Sequence, residues 1–103
     1  MSANLNIVKD KNGDALKVSL EGRVDTVTAP ELEQSLNSEL ESVKELTFDL
    51  KALDYISSAG LRVLLSAQKI MSKQGSMKLI NVSDNIMEIF EVTGFVDILT
   101  IEK

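Results

Sequence analysis

The residues best placed for chemistry are small and close together. Ser57-Ser58-Ala59-Gly60 divides a strand-like stretch from a helix-like one, within Leu53-Asp54-Tyr55-Ile56-Ser57-Ser58-Ala59-Gly60-Leu61-Arg62-Val63-Leu64-Leu65. Loops that follow strands in α/β sheets are where sites usually form. A nucleophilic serine needs a base, and the chain has no His, so a Ser-His-Asp triad is excluded. The Gly-x-Ser-x-Gly elbow is absent too, because residue 56 is Ile and Gly60 comes two residues after Ser58. A phosphate-binding loop would need a glycine-rich run ending in Lys-Ser/Thr, which is missing. A phosphoacceptor serine needs less. Once modified it carries about −1.5 to −2 charges at pH 7 and three acceptor oxygens. At a helix N-terminus those oxygens meet free N–H groups and a favourable dipole, so the fold tolerates them. A docking partner would instead meet a bulky, strongly hydrated anion. Either Ser57 or Ser58 also suits the helix N-cap, and capping and modification can coexist.

The chain has 103 residues, 16 acidic against 11 basic side chains and a formal charge of −5. This length predicts one domain spanning residues 1–103, and 44% apolar residues are enough to fill one core. The lack of Cys and His removes thiol catalysis, disulfides and imidazole- or Cys-bound metals, so no cofactor or metal is expected. A pI near 4.6 argues against nucleic-acid binding, which needs a basic stripe. Met1-Ser2-Ala3-Asn4-Leu5-Asn6 has no basic and apolar leader pattern, and no apolar run reaches the ~20 residues of a membrane span. The expectation is a cytoplasmic protein, not inserted in a membrane, that binds rather than catalyses.

The elements that must position the serines follow from periodicity. Apolar residues from Leu5, then Asn12-Gly13, then alternating Leu16, Val18 and Leu20 predict a β-hairpin over 4–10 and 15–22, ending at Gly22. Thr28-Ala29-Pro30-Glu31 fits a capping box, and Leu32, Leu36, Leu40 and Val43 predict a helix over 29–42. Leu46, Phe48 and Leu50 mark a strand over 45–50, followed by a loop from Lys51 to Ile56 that Asp54 helps to shape. A helix runs from the serines to Gln74 and stops at Gly75. Strands at 77–80 and 98–101 flank a helix capped by Ser83 or Asp84 and ended by Gly94. The order ββαβαβαβ, with a polar side on each clear strand, predicts a mixed sheet of about five strands with helices mainly on one face. Along the second helix, Leu61, Leu64 and Leu65 read as core, while Val63 and Ile70 lie off that stripe as an exposed apolar patch.

The segment Tyr55-Ile56-Ser57-Ser58-Ala59-Gly60-Leu61-Arg62-Val63-Leu64 closely resembles the signature of STAS domains, in particular bacterial anti-sigma factor antagonists. Gly22-Arg23-Val24-Asp25 resembles the Gly-x-Leu-Asp element after the second strand, and Thr93-Gly94-Phe95 resembles the Thr-Gly-Leu turn near the end. Phe48-Asp49-Leu50 with Leu53-Asp54-Tyr55-Ile56 matches the strand and loop ahead of the signature. The resemblance implies a STAS-like α/β fold and a partner switch. The unmodified antagonist binds an anti-sigma factor that is also a serine kinase, and so releases a sigma factor; phosphorylation breaks the complex and a Ser/Thr phosphatase restores it. The phosphoacceptor falls on Ser58, with Ser57 as the alternative. Ser57 stands where the family often has Asp, Ala59 where Ser or Thr is common, and Arg62 where Gly is usual.

Asp25 suits an Asx-type turn, and the resemblance sets it beside the phosphoacceptor. The docking surface is expected over Asp25, Thr26, Ile56, Ser57, Ser58, Ala59, Gly60, Arg62 and Val63. Arg62, one helical turn on, can pair with a phosphate on Ser58 or meet a partner. The protein is expected as a monomer or weak dimer. A second reading is a STAS subunit of a lipid-transport ABC system or another signalling scaffold, which needs no phosphorylation.

Overall fold

The computed structural model describes residues 5–102, so Asn4, the expected start of the first strand, lies outside the described residues. The order is β1 (Leu5–Asn12), β2 (Ala15–Val24), α1 (Ala29–Asn37), β3 (Glu45–Ile56), α2 (Ser58–Gln74), β4 (Ser76–Ile80), α3 (Asp84–Thr93) and β5 (Ile101–Glu102). Short 3-10 turns occupy Leu40–Ser42 and Phe95–Asp97. β1 and β2 are an antiparallel hairpin turning at Gly13-Asp14, and β2, β3, β4 and β5 then run parallel in the sheet order β1-β2-β3-β4-β5.

That order explains the one-sided architecture. A sheet that grows in one direction through crossovers of one hand lays each helix on the same face; a second helical layer requires the growth direction to reverse. The side chains agree. Leu16, Val18 and Leu20 of β2, Leu46, Phe48 and Leu50 of β3, and Met77 and Leu79 of β4 are buried beneath the helices. Lys17, Glu21, Glu45 and Lys78, between them, are exposed on the other face. Leu32 and Leu36 of α1, Leu64 and Met71 of α2, and Ile86 and Phe90 of α3 complete a continuous core.

β2 and β3 reach further than their alternation indicates. The expected loop Lys51 to Ile56 is strand, because β3 carries two bulges. Leu50 and Lys51 together oppose Leu20, between the pairs Ser19↔Asp49 and Glu21↔Ala52. Asp54 is then the extra residue between Gly22↔Leu53 and Arg23↔Tyr55. Each bulge shifts the inward phase by one residue, so the buried positions run Leu50, Leu53, Ile56 at spacing three rather than two. Gly22 does not end β2; its φ of 105°, which side-chain-bearing residues rarely adopt, absorbs the irregularity opposite the second bulge.

The first bulge is held by Asp49. Its Oδ1 accepts from the Lys51 N–H and from the Asn81 amide, each at 3.1 Å, and Lys17 Nζ lies 3.6 Å from its Oδ2. Partial burial raises the pKa of this carboxyl, but those hydrogen bonds and the lysine charge outweigh it, leaving the pKa below the ordinary value.

Two further boundaries differ from expectation. The first helix stops at Asn37 instead of continuing to 42, and its last buried residue, Leu40, sits in a 3-10 turn. The carbonyls of Leu40 and Val43 are taken by the Gln74 side-chain amide, at 2.5 and 2.7 Å, which ties this turn to the end of α2. β5 begins at Ile101 and not at Ile98, because the N–H groups of Ile98 and Leu99 turn back to the Phe95 carbonyl and are lost to the sheet. Among the described residues, no helix is long and apolar enough to cross a membrane.

Replacing Asp49 by Ala should cost about 1–2 kcal/mol, because it removes the acceptor for the bulge N–H and for Asn81. Urea unfolding of wild type and Asp49→Ala measures this; an unchanged midpoint would show that the bulge holds without the carboxylate.

Candidate functional site

The site is assembled where β2 and β3 end side by side. Val24 pairs with Ile56, and the Ser57 N–H donates to the Val24 carbonyl at 2.8 Å. The residues that follow each strand, Asp25 on one side and Ser57-Ser58 on the other, are therefore neighbours at one sheet end.

The β2 loop is closed by Asp25 and Thr28. Asp25 Oδ1 accepts from the N–H groups of Val27 and Thr28, both at 3.0 Å, and the Asp25 carbonyl accepts from Ala29 N–H at 2.8 Å. The buried Thr28 hydroxyl accepts from Asp25 N–H at 2.8 Å; its own proton reaches the Arg23 carbonyl at 2.9 Å and the Asp25 carboxylate at 3.2 Å. The expected Thr28–Glu31 capping box does not form. Thr28 is already in helical geometry, with no side-chain cap bond, because its hydroxyl is consumed by the preceding turn. The Thr28 N–H bond, chiefly, lowers the Asp25 pKa; desolvation opposes it, and the Val27 N–H, the Thr28 hydroxyl and the Arg23 charge reinforce it. Arg23 Nε lies 3.9 Å from Asp25 Oδ2, and the guanidinium sits 4.5 Å from the Tyr55 ring centroid, a cation–π contact between paired positions of β2 and β3.

On the β3 side the two serines divide the work. Ser57 is the N-cap: it is half-buried, and its Oγ accepts from Gly60 N–H at 3.4 Å. Ser58 is the first helical residue and exposed, and its hydroxyl makes no hydrogen bond among the described residues. Gly60 is needed for space. A Cβ there would stand 2.6 Å from Val24 Cγ1 and 2.7 Å from Ile56 Cγ1, so α2 enters in contact with both strand ends.

Of the expected docking residues, Thr26, Ser58 and Arg62 are exposed, and Asp25, Ser57 and Ala59 are half-buried. Ile56, Gly60 and Val63 are buried: Ile56 is an inward position of β3, Gly60 is pressed on the strand ends, and Val63 faces Leu36 of α1, so the exposed apolar patch expected at Val63 is corrected. Ile70 alone of the expected apolar pair is exposed. Val27 was not singled out by the sequence, yet it is 73% exposed at the tip of the Asp25 turn. Its only sequence signal is an apolar residue between two threonines, outside any period. Among the described residues, no group of three acidic side chains is placed to hold a metal.

Residues 6–103 match the STAS domain family. The chain belongs to that family. The anti-sigma-B factor antagonist of Bacillus subtilis (strain 168) is 34% identical over 99 residues, spanning 95% of this chain and 91% of that protein. The crystal structure of an anti-sigma factor antagonist from Mycobacterium paratuberculosis matches with a TM-score of 0.86 at 24% identity, covering 98% of this chain and 89% of that one. The unphosphorylated form of the anti-sigma factor antagonist SpoIIAA matches with a TM-score of 0.81 at 14% identity, covering 95% of this chain and 89% of that one. In this STAS domain Ser57 and Ser58 stand at the turn into α2.

Two outcomes test this geometry. Gly60→Ala should destabilise the STAS domain by about 1–3 kcal/mol, the cost of overpacking, and Val24→Ala in the same chain should return part of it. Denaturant unfolding of the single and double variants gives the coupling; simple additivity would mean that the Val24 contact is not the obstacle. The second concerns pH. A carboxyl whose folded pKa is depressed adds stability that is full above its unfolded value and is lost as pH falls through the folded one. The Asp25 carboxyl should therefore titrate below the ordinary aspartate value of about 3.9, as read by carboxyl-carbon NMR, and Asp25→Asn should soften the acid limb of the stability profile. A midpoint at or above that value would contradict the hydrogen-bonding scheme.

Proposed function

We propose that this STAS protein is an anti-sigma factor antagonist of the cytoplasm. Unmodified, it binds an anti-sigma factor that is also a serine kinase and so frees a sigma factor; phosphorylation at Ser58 ends that binding, and a Ser/Thr phosphatase restores it. The observation that carries this reading is the exposed Ser58 hydroxyl, without a hydrogen-bond partner among the described residues, at the first position of α2 beside the Asp25 turn. The names of the relatives and structural neighbours support the same role.

The chemistry belongs to the partner. Ser58 Oγ attacks the γ-phosphorus of a nucleoside triphosphate held by the kinase. The new O–P bond replaces the bond to the β-phosphate oxygen, a nucleoside diphosphate leaves, and the hydroxyl proton passes to a kinase base. The STAS domain contributes an accessible hydroxyl on a rigid helix end. The phosphate costs the fold little, since it lies at the favourable end of the dipole, but it places a hydrated dianion on the docking face, where desolvation opposes binding. Ser57 is the poorer acceptor because its hydroxyl is half-buried and engaged in capping.

The test is binding to the candidate kinase by calorimetry, with mass mapping after incubation with ATP. Wild type and Ser58→Ala should bind alike, and Ser58→Asp should bind at least about tenfold more weakly, a loss of about 1.4 kcal/mol. Ser57→Ala should still take up phosphate while losing about 0.5–2 kcal/mol of stability with its cap. Phosphate found on Ser57 alone, or equal binding by all variants, defeats the reading.

A further inference from the structure

Resting on the reading of Ser58 as phosphoacceptor, we propose that Arg62 is the intramolecular partner of the phosphate. Phosphorylation then changes the docking surface twice: it adds an anion, and it withdraws the guanidinium that the unmodified protein presents.

The chain has two arginines, Arg23 and Arg62, and both stand at this end of the molecule. Arg23 is committed, to the Asp25 carboxylate at 3.9 Å and to the Tyr55 ring at 4.5 Å. Arg62 is exposed and makes no ion pair among the described residues. It lines a shallow groove between α1 and α2 with Glu33, but the two charges form no salt bridge. Arg62 lies four residues after Ser58 on α2, so both side chains occupy one helix face with Cβ atoms about 5–6 Å apart. Helical side chains lean toward the N-terminus, which carries the longer one back over Ser58. A guanidinium offers two parallel N–H donors that match two phosphate oxygens, and a phosphoserine at position 58 supplies them within one turn. Ser57 is off this face, and its hydroxyl is directed to the Gly60 N–H.

The test places phosphoserine at position 58 during translation, so it requires no kinase, and follows its second ionisation by phosphorus NMR across pH. Variants at residue 62 are compared in otherwise identical protein, so the helix N-terminus contributes equally to each and cancels. The wild-type midpoint should lie about 0.15–0.35 pH unit below that of Arg62→Gln, with Arg62→Lys between them. Phosphoserine placed at position 57 instead should show no such dependence. Coincident midpoints in the 58-modified proteins, or equal dependence at 57 and 58, overturn the pairing. Circular dichroism of unmodified Arg62→Gln confirms that this exposed substitution leaves the fold intact. Failure of a kinase to modify Ser58 would defeat the functional reading and leave this measurement standing. Absence of the NMR shift would defeat the pairing and leave the kinase assay standing.

Discussion

The parallel pairing of Val24 with Ile56 is the constraint on which the site depends. It brings two chain segments, more than thirty residues apart in sequence, to one sheet end and hands each its loop. The same two side chains form the floor under Gly60, so they also set how closely α2 can approach. A strand end, a turn and a helix start are thus fixed by one contact. Moving any of them moves the others, because a packed core transmits a displacement of a few tenths of an ångström rather than absorbing it.

The bulges in β3 show what this placement costs. A regular strand would put every second residue inward and reach Ile56 with the same parity, so the two bulges cancel in phase. They do not cancel in length: β3 uses twelve residues, and the two extra ones let it meet an irregular β2 at the correct level. The open face makes this possible. With no helices there, Asp54 can project into solvent, and Asp49 can use its carboxylate on the bulge N–H without meeting a second core.

This is also why part of the molecule could be read from sequence and part could not. Leu16-Val18-Leu20 and Leu46-Phe48-Leu50 keep strict alternation, so the strands, their polar face and the one-sided sheet were legible. Leu50, Leu53 and Ile56 break it, and a strand with spacing three looks like a loop. The Thr28 capping box failed for a different reason. Its pattern is local, but the hydroxyl was claimed by Arg23 and Asp25, a competition visible only once the turn is built. Val63 followed the off-stripe side of α2 in sequence, yet α1 covers that side, and one helix cannot announce its neighbour. The serine pair was legible as a pair. Its division into cap and free hydroxyl depended on where the helix begins, and one residue of register decides that.

That division gives the site its physical logic. A single serine at a helix start would have to cap and to react, and each modification would cost the helix its cap, about 1 kcal/mol. Here Ser57 holds Gly60 while the Ser58 hydroxyl makes no hydrogen bond among the described residues, so the proposed modification would add its charge at the surface without touching the bond that seats the helix. Stability resides in Asp25, Thr28, Ser57 and Gly60, whose polar groups are satisfied or whose atoms are close-packed. The proposed switch would act on Ser58 and Arg62, which are exposed and unpaired among the described residues. A switch acting on the second set changes what a partner meets, while the first set keeps the surface in place for the next cycle.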